Sequence, residues 1–354
     1  MTGPFRIDAA LRLTALIFAL LAAEAGSSNT ADAQPGDFAR SLAAEVGVVG
    51  DMGEPNYGPG FAESVKCRVR PQDEVWVISS RHLGWPACEE DTPALKYWRW
   101  DCGVKNWRKH DAAMFKASES AVVATVVYIH GNRVDSWKAV DLGWYSYDAI
   151  VRSGQYDRPV RYVIYSWPST RIRGTQLNDL RCKADRTNAE AYYVARVLSA
   201  TREDVPVCLI GFSYGARIIS GGLHVAAGGE VCGNALPTSA PRRGNIRSVL
   251  MAGALHNYWM HPGCFHGQAL QSTDRMLILA NSCDKVLRRY HWLFRGQRPK
   301  ALGTTGLSWY DDTGRVKEFD CCCCVGKTHD SLTYLNSPQL VELTRQYALW
   351  VEAE

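Results

Sequence analysis

The chain has 354 residues, 46% of them hydrophobic, with 40 Lys and Arg against 36 Asp and Glu for a formal net charge of +4. A net charge of +4 is modest. The short basic clusters Arg171-Ile172-Arg173 and Arg242-Arg243 read as solvated faces and give no basis for nucleic-acid recognition.

Arg6 and Arg12 precede an apolar stretch over 13–23, and small residues follow in Ala23-Glu24-Ala25 and Ala31-Asp32-Ala33. This order predicts a secretory signal peptide over 1–25, with cleavage as late as 33. The apolar run is short of the roughly 20 residues a membrane-spanning helix needs, so membrane association is not expected after cleavage. Residues 26–62, rich in Gly, Ser, Ala, Pro and Asp, read as a flexible lead-in with one short helical candidate at 38–48. The remainder, 63–354, reads as one domain.

Within it, 65–70 and 74–80 alternate like strands and are separated by the turn signal Pro71-Gln72-Asp73, which predicts a tight hairpin. The span 83–118 holds Trp85, Trp98, Trp100 and Trp107 with Cys88 and Cys102, and reads as an excursion pinned by a disulfide. A regular alternation follows. Strands are predicted at 121–129, 160–166, 205–210, 249–255, 276–280 and 316–319, and helices at 136–153, 184–200, 214–227 and 339–352. Such alternation predicts an α/β fold with a mostly parallel central sheet and helices on both faces.

The segment Gly211-Phe212-Ser213-Tyr214-Gly215 joins a predicted strand to a predicted helix. Gly-x-Ser-x-Gly at such a junction forces a sharp turn that presents the serine at the top of the sheet. A serine hydroxyl is a weak nucleophile, so it needs a base, and the base needs a carboxylate to fix its tautomer. Asp284 follows the strand at 276–280, and His329 precedes the last helix. Both sit where a Ser, Asp, His order requires them.

On these residues the chain resembles the α/β-hydrolase superfamily over roughly 65–352. Within it the chain is similar to a bacterial group of unassigned function with three local signatures. Here these are Val127-Tyr128-Ile129-His130-Gly131-Asn132, Tyr165-Ser166-Trp167-Pro168-Ser169 and the Gly-x-Ser-x-Gly turn. The resemblance implies an esterase-like or lipase-like serine hydrolase acting on an ester, thioester or amide, with no metal or organic cofactor and a small-molecule or acyl substrate. It makes Ser213 the nucleophile, His329 the base, Asp284 its orienting acid, and the backbone N–H groups of Tyr214 and Asn132 the oxyanion hole. His130 would organise the oxyanion loop.

Each assignment has a plainer rival. Ser213 as a turn residue, His329 as a loop histidine and Asp284 as a helix cap all fit their local sequence. Asn257 and Asp330 lie near the expected acid and base, but an amide supplies no charge and adjacent side chains diverge. Trp167 reads slightly better as core than as pocket wall, with Pro168 ending its strand.

Twelve cysteines suit an oxidising compartment, hence a secreted, periplasmic or envelope protein with some disulfides. Cys208 reads as a buried free thiol. An extended run Cys321 to Cys324 would point its side chains to opposite faces and make a poor zinc site. That run, close to His329, also admits a catalytically inactive envelope binding module, or thiol redox chemistry, as alternatives to hydrolysis.

Overall fold

The computed structural model describes residues 68–83, 95–120, 123–237, 244–294, 296 and 298–351. The predicted leader, lead-in and helix at 38–48 lie outside these residues.

A nine-stranded sheet runs in the order β11-β10-β9-β6-β4-β5-β1-β2-β3. Its strands are β1 (Glu74–Ser79), β2 (Lys96–Asp101), β3 (Asn106–His110), β4 (Ala124–Ile129), β5 (Val160–Ser166), β6 (Val207–Phe212), β9 (Ile246–Met251), β10 (Arg275–Ala280) and β11 (Val316–Asp320). Only β2 opposes the rest, pairing antiparallel with β1 and β3, while β1/β5, β4/β5, β4/β6, β6/β9, β9/β10 and β10/β11 are all parallel. A small hairpin, β7 (Glu230–Val231) with β8 (Asn234–Ala235), stands apart from it.

The central strands β4, β5, β6 and β9 are buried at every residue. Their near-continuous apolar runs follow, because helices cover both faces. The hydroxyl of Tyr162 donates to Ser146 in α2 (Ser136–Tyr147), whereas Val163 lines the opposite face with Val194 of α3 (Gln176–Ala200). Against α3 lies α4 (Tyr214–Ala226), and glycine permits the approach: a Cβ on Gly221 would meet that of Ala191 at 2.8 Å.

Several sequence expectations change. The hairpin partner expected at 65–70 is not a strand where described, at 68–70; β2 takes that place beside β1. The reason is local, since Arg70 forks onto Asp73 while Asp73 also accepts from the backbone N–H of Val160 and the hydroxyl of Tyr147. Residues 95–118 form the β2–β3 hairpin and a helix, α1 (Ala112–Ala117), capped by Asp111. Trp100 packs edge to face against both Trp107 and Trp144 there. Cys102 is disulfide-bonded. The helix expected at 136–153 is α2 continued by a π-helical turn, Asp148–Arg152. The helix expected at 184–200 begins two turns earlier, where Thr175 caps α3 and a buried Lys183–Asp179 ion pair makes polar residues interior. The strand expected at 249–255 ends at Met251.

The cysteine run is not extended. Cys321 precedes a single turn, α6 (Cys322–Val325), and Cys322 is disulfide-bonded to Cys283 across 39 residues. A short helix α5 (Leu302–Thr305) precedes β11, and α7 (Ser331–Leu335) and α8 (Pro338–Ala348) close the described chain. Cys208 is a buried free thiol whose pKa burial pushes up. No helix among the described residues is long and apolar enough to cross a membrane.

Candidate active site

Because the crossovers run in opposite directions from β4, the switch point of the sheet lies at the carboxyl ends of β4 and β6, where open α/β sheets bind ligands. Ser213 stands there, between β6 and α4, with φ 56° and ψ −112°. That backbone conformation is costly for a residue with a side chain and recurs at functional turns. The flanking glycines are required by space: a Cβ at Gly215 would lie 2.1 Å from the carbonyl oxygen of Ile129, and one at Gly211 would lie 2.5 Å from the backbone of Gly215.

The structure brings Ser213, His329 and Asp284 together. His329 Nε2 lies 3.0 Å from Ser213 Oγ, and His329 Nδ1 lies 2.6 Å from Asp284 Oδ2. With Nδ1–H donating to the carboxylate, Nε2 is the acceptor for the serine hydroxyl. Asp284 is fully buried, and its other oxygen, Oδ1, accepts from the backbone N–H groups of Val286 (2.8 Å) and Leu287 (2.9 Å). The cap and the partner of a histidine are thus the same residue, one role per oxygen.

The loops that carry the acid and the histidine are tied to each other. Asn281 donates its amide to the carbonyls of Gly326 (2.8 Å) and Thr328 (3.3 Å), and the Cys283–Cys322 disulfide joins the same two segments. Phe212 packs its ring on that of His329, centroids 4.9 Å apart. Asp330 turns away and caps α7, and Asn257 donates to Thr305.

The loop after β4 is positioned by residues without reactive roles. His130 Nδ1–H donates to the Gly131 carbonyl at 2.8 Å, so Nε2 accepts, from the Trp167 backbone N–H and from Arg81 Nη2, each at 3.3 Å. Burial, with the Arg81 charge second, pushes His130 down to about 3 and keeps it neutral. Trp167 is fully buried, stacks on His130 and donates its indole N–H to the His130 carbonyl at 2.9 Å. Its packing role explains the aromatic residue of that signature. Held this way, Gly131 lies against the serine, where an added Cβ would sit 3.4 Å from Ser213 Cβ. Asn132 follows directly. Tyr214 occupies the first turn of α4, where a backbone N–H has no intrahelical acceptor.

Sequence reasoning missed Arg81, which binds Ser166 Oγ and the carbonyls of Val134 and Asp135 as well as His130. It also missed Arg217, a buried arginine on α4. Neither carries a motif, and an isolated arginine after a strand or inside a helix has no local signal of burial.

The sheet order, the single reversed strand and the serine turn at the end of a central strand define an α/β-hydrolase fold. No family model matches the sequence, and no curated protein is similar to it. Among solved structures, the chain is similar to esterase B from Lactobacillus rhamnosis at 12% identity, covering 96% of each chain with a TM-score of 0.36. It is also similar to the catalytic core domain of acetyl xylan esterase from Trichoderma reesei (13% identity, 65% of this chain and 96% of that chain, TM-score 0.34). A third is acyl-protein thioesterase 2 from Zea mays (15% identity, 62% and 92%, TM-score 0.31). The fold assignment rests on the chain's own sheet order and not on these likenesses.

Proposed function

We propose that the protein is a serine hydrolase that cleaves an ester, thioester or amide through an acyl-enzyme on Ser213. The observation that carries this reading is the relay in which His329 reaches Ser213 Oγ at 3.0 Å while its other nitrogen meets the buried Asp284 at 2.6 Å. In acylation, Ser213 Oγ bonds to the substrate carbonyl carbon as its proton passes to His329 Nε2. The tetrahedral oxyanion is met by the backbone N–H groups of Tyr214 and Asn132. His329 returns the proton to the leaving group as the old bond breaks. Water then repeats the sequence and releases the acid. Asp284 holds Nδ1–H throughout and stabilises the imidazolium without accepting its proton.

The chemistry draws on the chain's own groups, and an esterase-like activity on a small acyl substrate is the form it takes. A binding module that had lost turnover would leave the ring of His329 out of reach of Ser213, and the 3.0 Å contact speaks against that. Thiol chemistry is less favoured because Cys322 is tied up with Cys283, away from Cys323 and Cys324. Disulfides together with the predicted leader support a secreted or periplasmic location.

A fluorophosphonate probe on the mature protein tests the proposal. The expected result is one adduct, mapped to Ser213 and absent in Ser213→Ala. No adduct at Ser213, or labelling that survives the substitution, would sink it.

A further inference from the structure

Arg81 follows β1, and its guanidinium grips the segments that leave both β4 and β5. Nε donates to Ser166 Oγ at 2.7 Å, and Nη1 to Thr170 Oγ1 at 3.4 Å. Nη2 shares its protons among the carbonyls of Val134 (3.0 Å) and Asp135 (3.1 Å) and His130 Nε2 (3.3 Å). Burial pulls its pKa down to about 10, against the charges of Asp135 and Glu190, so the group stays cationic at neutral pH. A planar fork of charged donors holds neutral acceptors more firmly than a neutral donor would, and in a fixed direction.

Three of those contacts fall on the loop that carries Asn132, on either side of it. His130 precedes Asn132, and Val134 and Asp135 follow. Every backbone group of a buried loop needs a partner, so the loop can be accounted for group by group. The carbonyl of His130 accepts from the Trp167 indole at 2.9 Å, and that of Gly131 accepts from His130 Nδ1 at 2.8 Å. The N–H groups of Arg133 and Val134 donate to the carbonyl (2.8 Å) and Oγ (3.1 Å) of Ser169, whose hydroxyl donates back to the Val134 carbonyl at 2.9 Å.

Among the described residues the N–H groups of Gly131 and Asn132 have no acceptor. Gly131 lies against the serine, where an added Cβ would sit 3.4 Å from Ser213 Cβ. Uncommitted backbone donors beside a nucleophile are what a developing oxyanion requires, provided they are fixed before it forms. Removing Arg81 would take the charged donor from two carbonyls and from the imidazole together, and release the loop on both sides of Asn132. A displacement of about 1 Å at such a donor costs on the order of 10²-fold in rate.

We propose that Arg81 is a positioning residue for the oxyanion loop: by gathering the acceptors of His130, Val134 and Asp135 onto itself, it keeps the backbone N–H of Asn132 turned toward the carbonyl oxygen of a substrate on Ser213. Arg81 acts through the loop and touches no reacting atom. This rests on the hydrolase reading, and it extends that reading by naming what holds the oxyanion donor in place.

The test compares 4-nitrophenyl butyrate with its thionoester, in which sulfur replaces the carbonyl oxygen, in wild type, Arg81→Met, Arg81→Lys and Ser166→Ala. Sulfur accepts hydrogen bonds weakly, so a well-placed oxyanion donor favours the oxygen ester and a misplaced one does not. Arg81→Met is expected to lower kcat on the oxygen ester by about 10²-fold with KM little changed, and to shrink the oxygen-to-sulfur ratio of kcat/KM about tenfold. Arg81→Lys, with one charged point in place of the fork, and Ser166→Ala, which frees only Nε, should fall between; they carry the test if Arg81→Met does not fold. General destabilisation would lower both substrates alike, so a ratio unchanged from wild type in the folded variants overturns the proposal. A crystal structure of Arg81→Met, or of Arg81→Lys in its place, reads the loop without turnover: residues 131–135 are expected to shift relative to Ser213, and an unmoved loop also overturns it. Ser213 labelling with an unchanged ratio removes this inference alone, whereas a shifted loop in a protein whose wild type is never labelled at Ser213 removes the hydrolase reading alone.

Discussion

At the scale of single residues, Asp284 divides its two oxygens between a helix end and an imidazole, and the two uses separate under mutation. Asp284→Asn keeps an acceptor for the N–H groups of Val286 and Leu287 but lets the amide favour the wrong tautomer of His329. It is expected to lower kcat by about 10⁴-fold with an unfolding midpoint close to wild type. Asp284→Ala is expected to add a stability loss of about 1 kcal/mol from the lost cap, read by urea denaturation. Ser213, Asp284 and His329 were legible in the sequence because a turn motif fixed the first and chain order picked out the others. Arg81 and Arg217 were not, because what makes them distinctive is the company they keep in space: His130 and two carbonyls for one, the ring of Trp259 for the other.

At the scale of elements, the turn around Ser213 and the staple between the acid and histidine loops carry most of the consequence. An added methyl at Gly215 would strike the Ile129 carbonyl at 2.1 Å, backbone against backbone. Gly215→Ala is expected to cost about 3 kcal/mol or more, measured by denaturant unfolding, because neither β4 nor α4 can move without breaking its own hydrogen bonds. The Cys283–Cys322 bridge closes a long loop, and chain entropy alone makes that worth about 4 kcal/mol. The double substitution to alanine is expected to lower stability by up to that amount, and kcat with it, while wild type in a thiol reductant follows the same course. The central strands and the serine turn were readable because their apolar runs are continuous. The start of α3 was not, since Asp179 and Lys183 are buried by pairing and read as surface in one dimension. The cysteine run misled for a related reason: its first turn is helical, with Cys322 bridged to Cys283 and its backbone N–H held by Asp320, neither of which local sequence signals.

For the whole molecule, buried neutral histidines set the response to acid. His130 and His256 are each held near 3, below the ordinary histidine value of 6.5, by burial first. In the unfolded chain both take up protons below about pH 6.5, while the folded protein does not, so the unfolded state binds more protons and stability falls with falling pH. Each contributes a slope of at most about 1.4 kcal/mol per pH unit between roughly pH 6 and 3. Denaturation midpoints at pH 7, 6 and 5 are expected to fall steadily, and His256→Gln to flatten the curve.

Among the described residues the sheet has two outermost strands, and both are dressed with charge. β3 shows Arg108 and Lys109 at exposed positions, and β11 shows Lys317, Glu318 and Asp320. Unpaired backbone at such margins would template further strands from neighbouring copies, and side chains of this kind make the addition unfavourable. Crowding on a concentrator membrane should therefore leave the sheet at its own width, with turbidity arising only once the charges are neutralised.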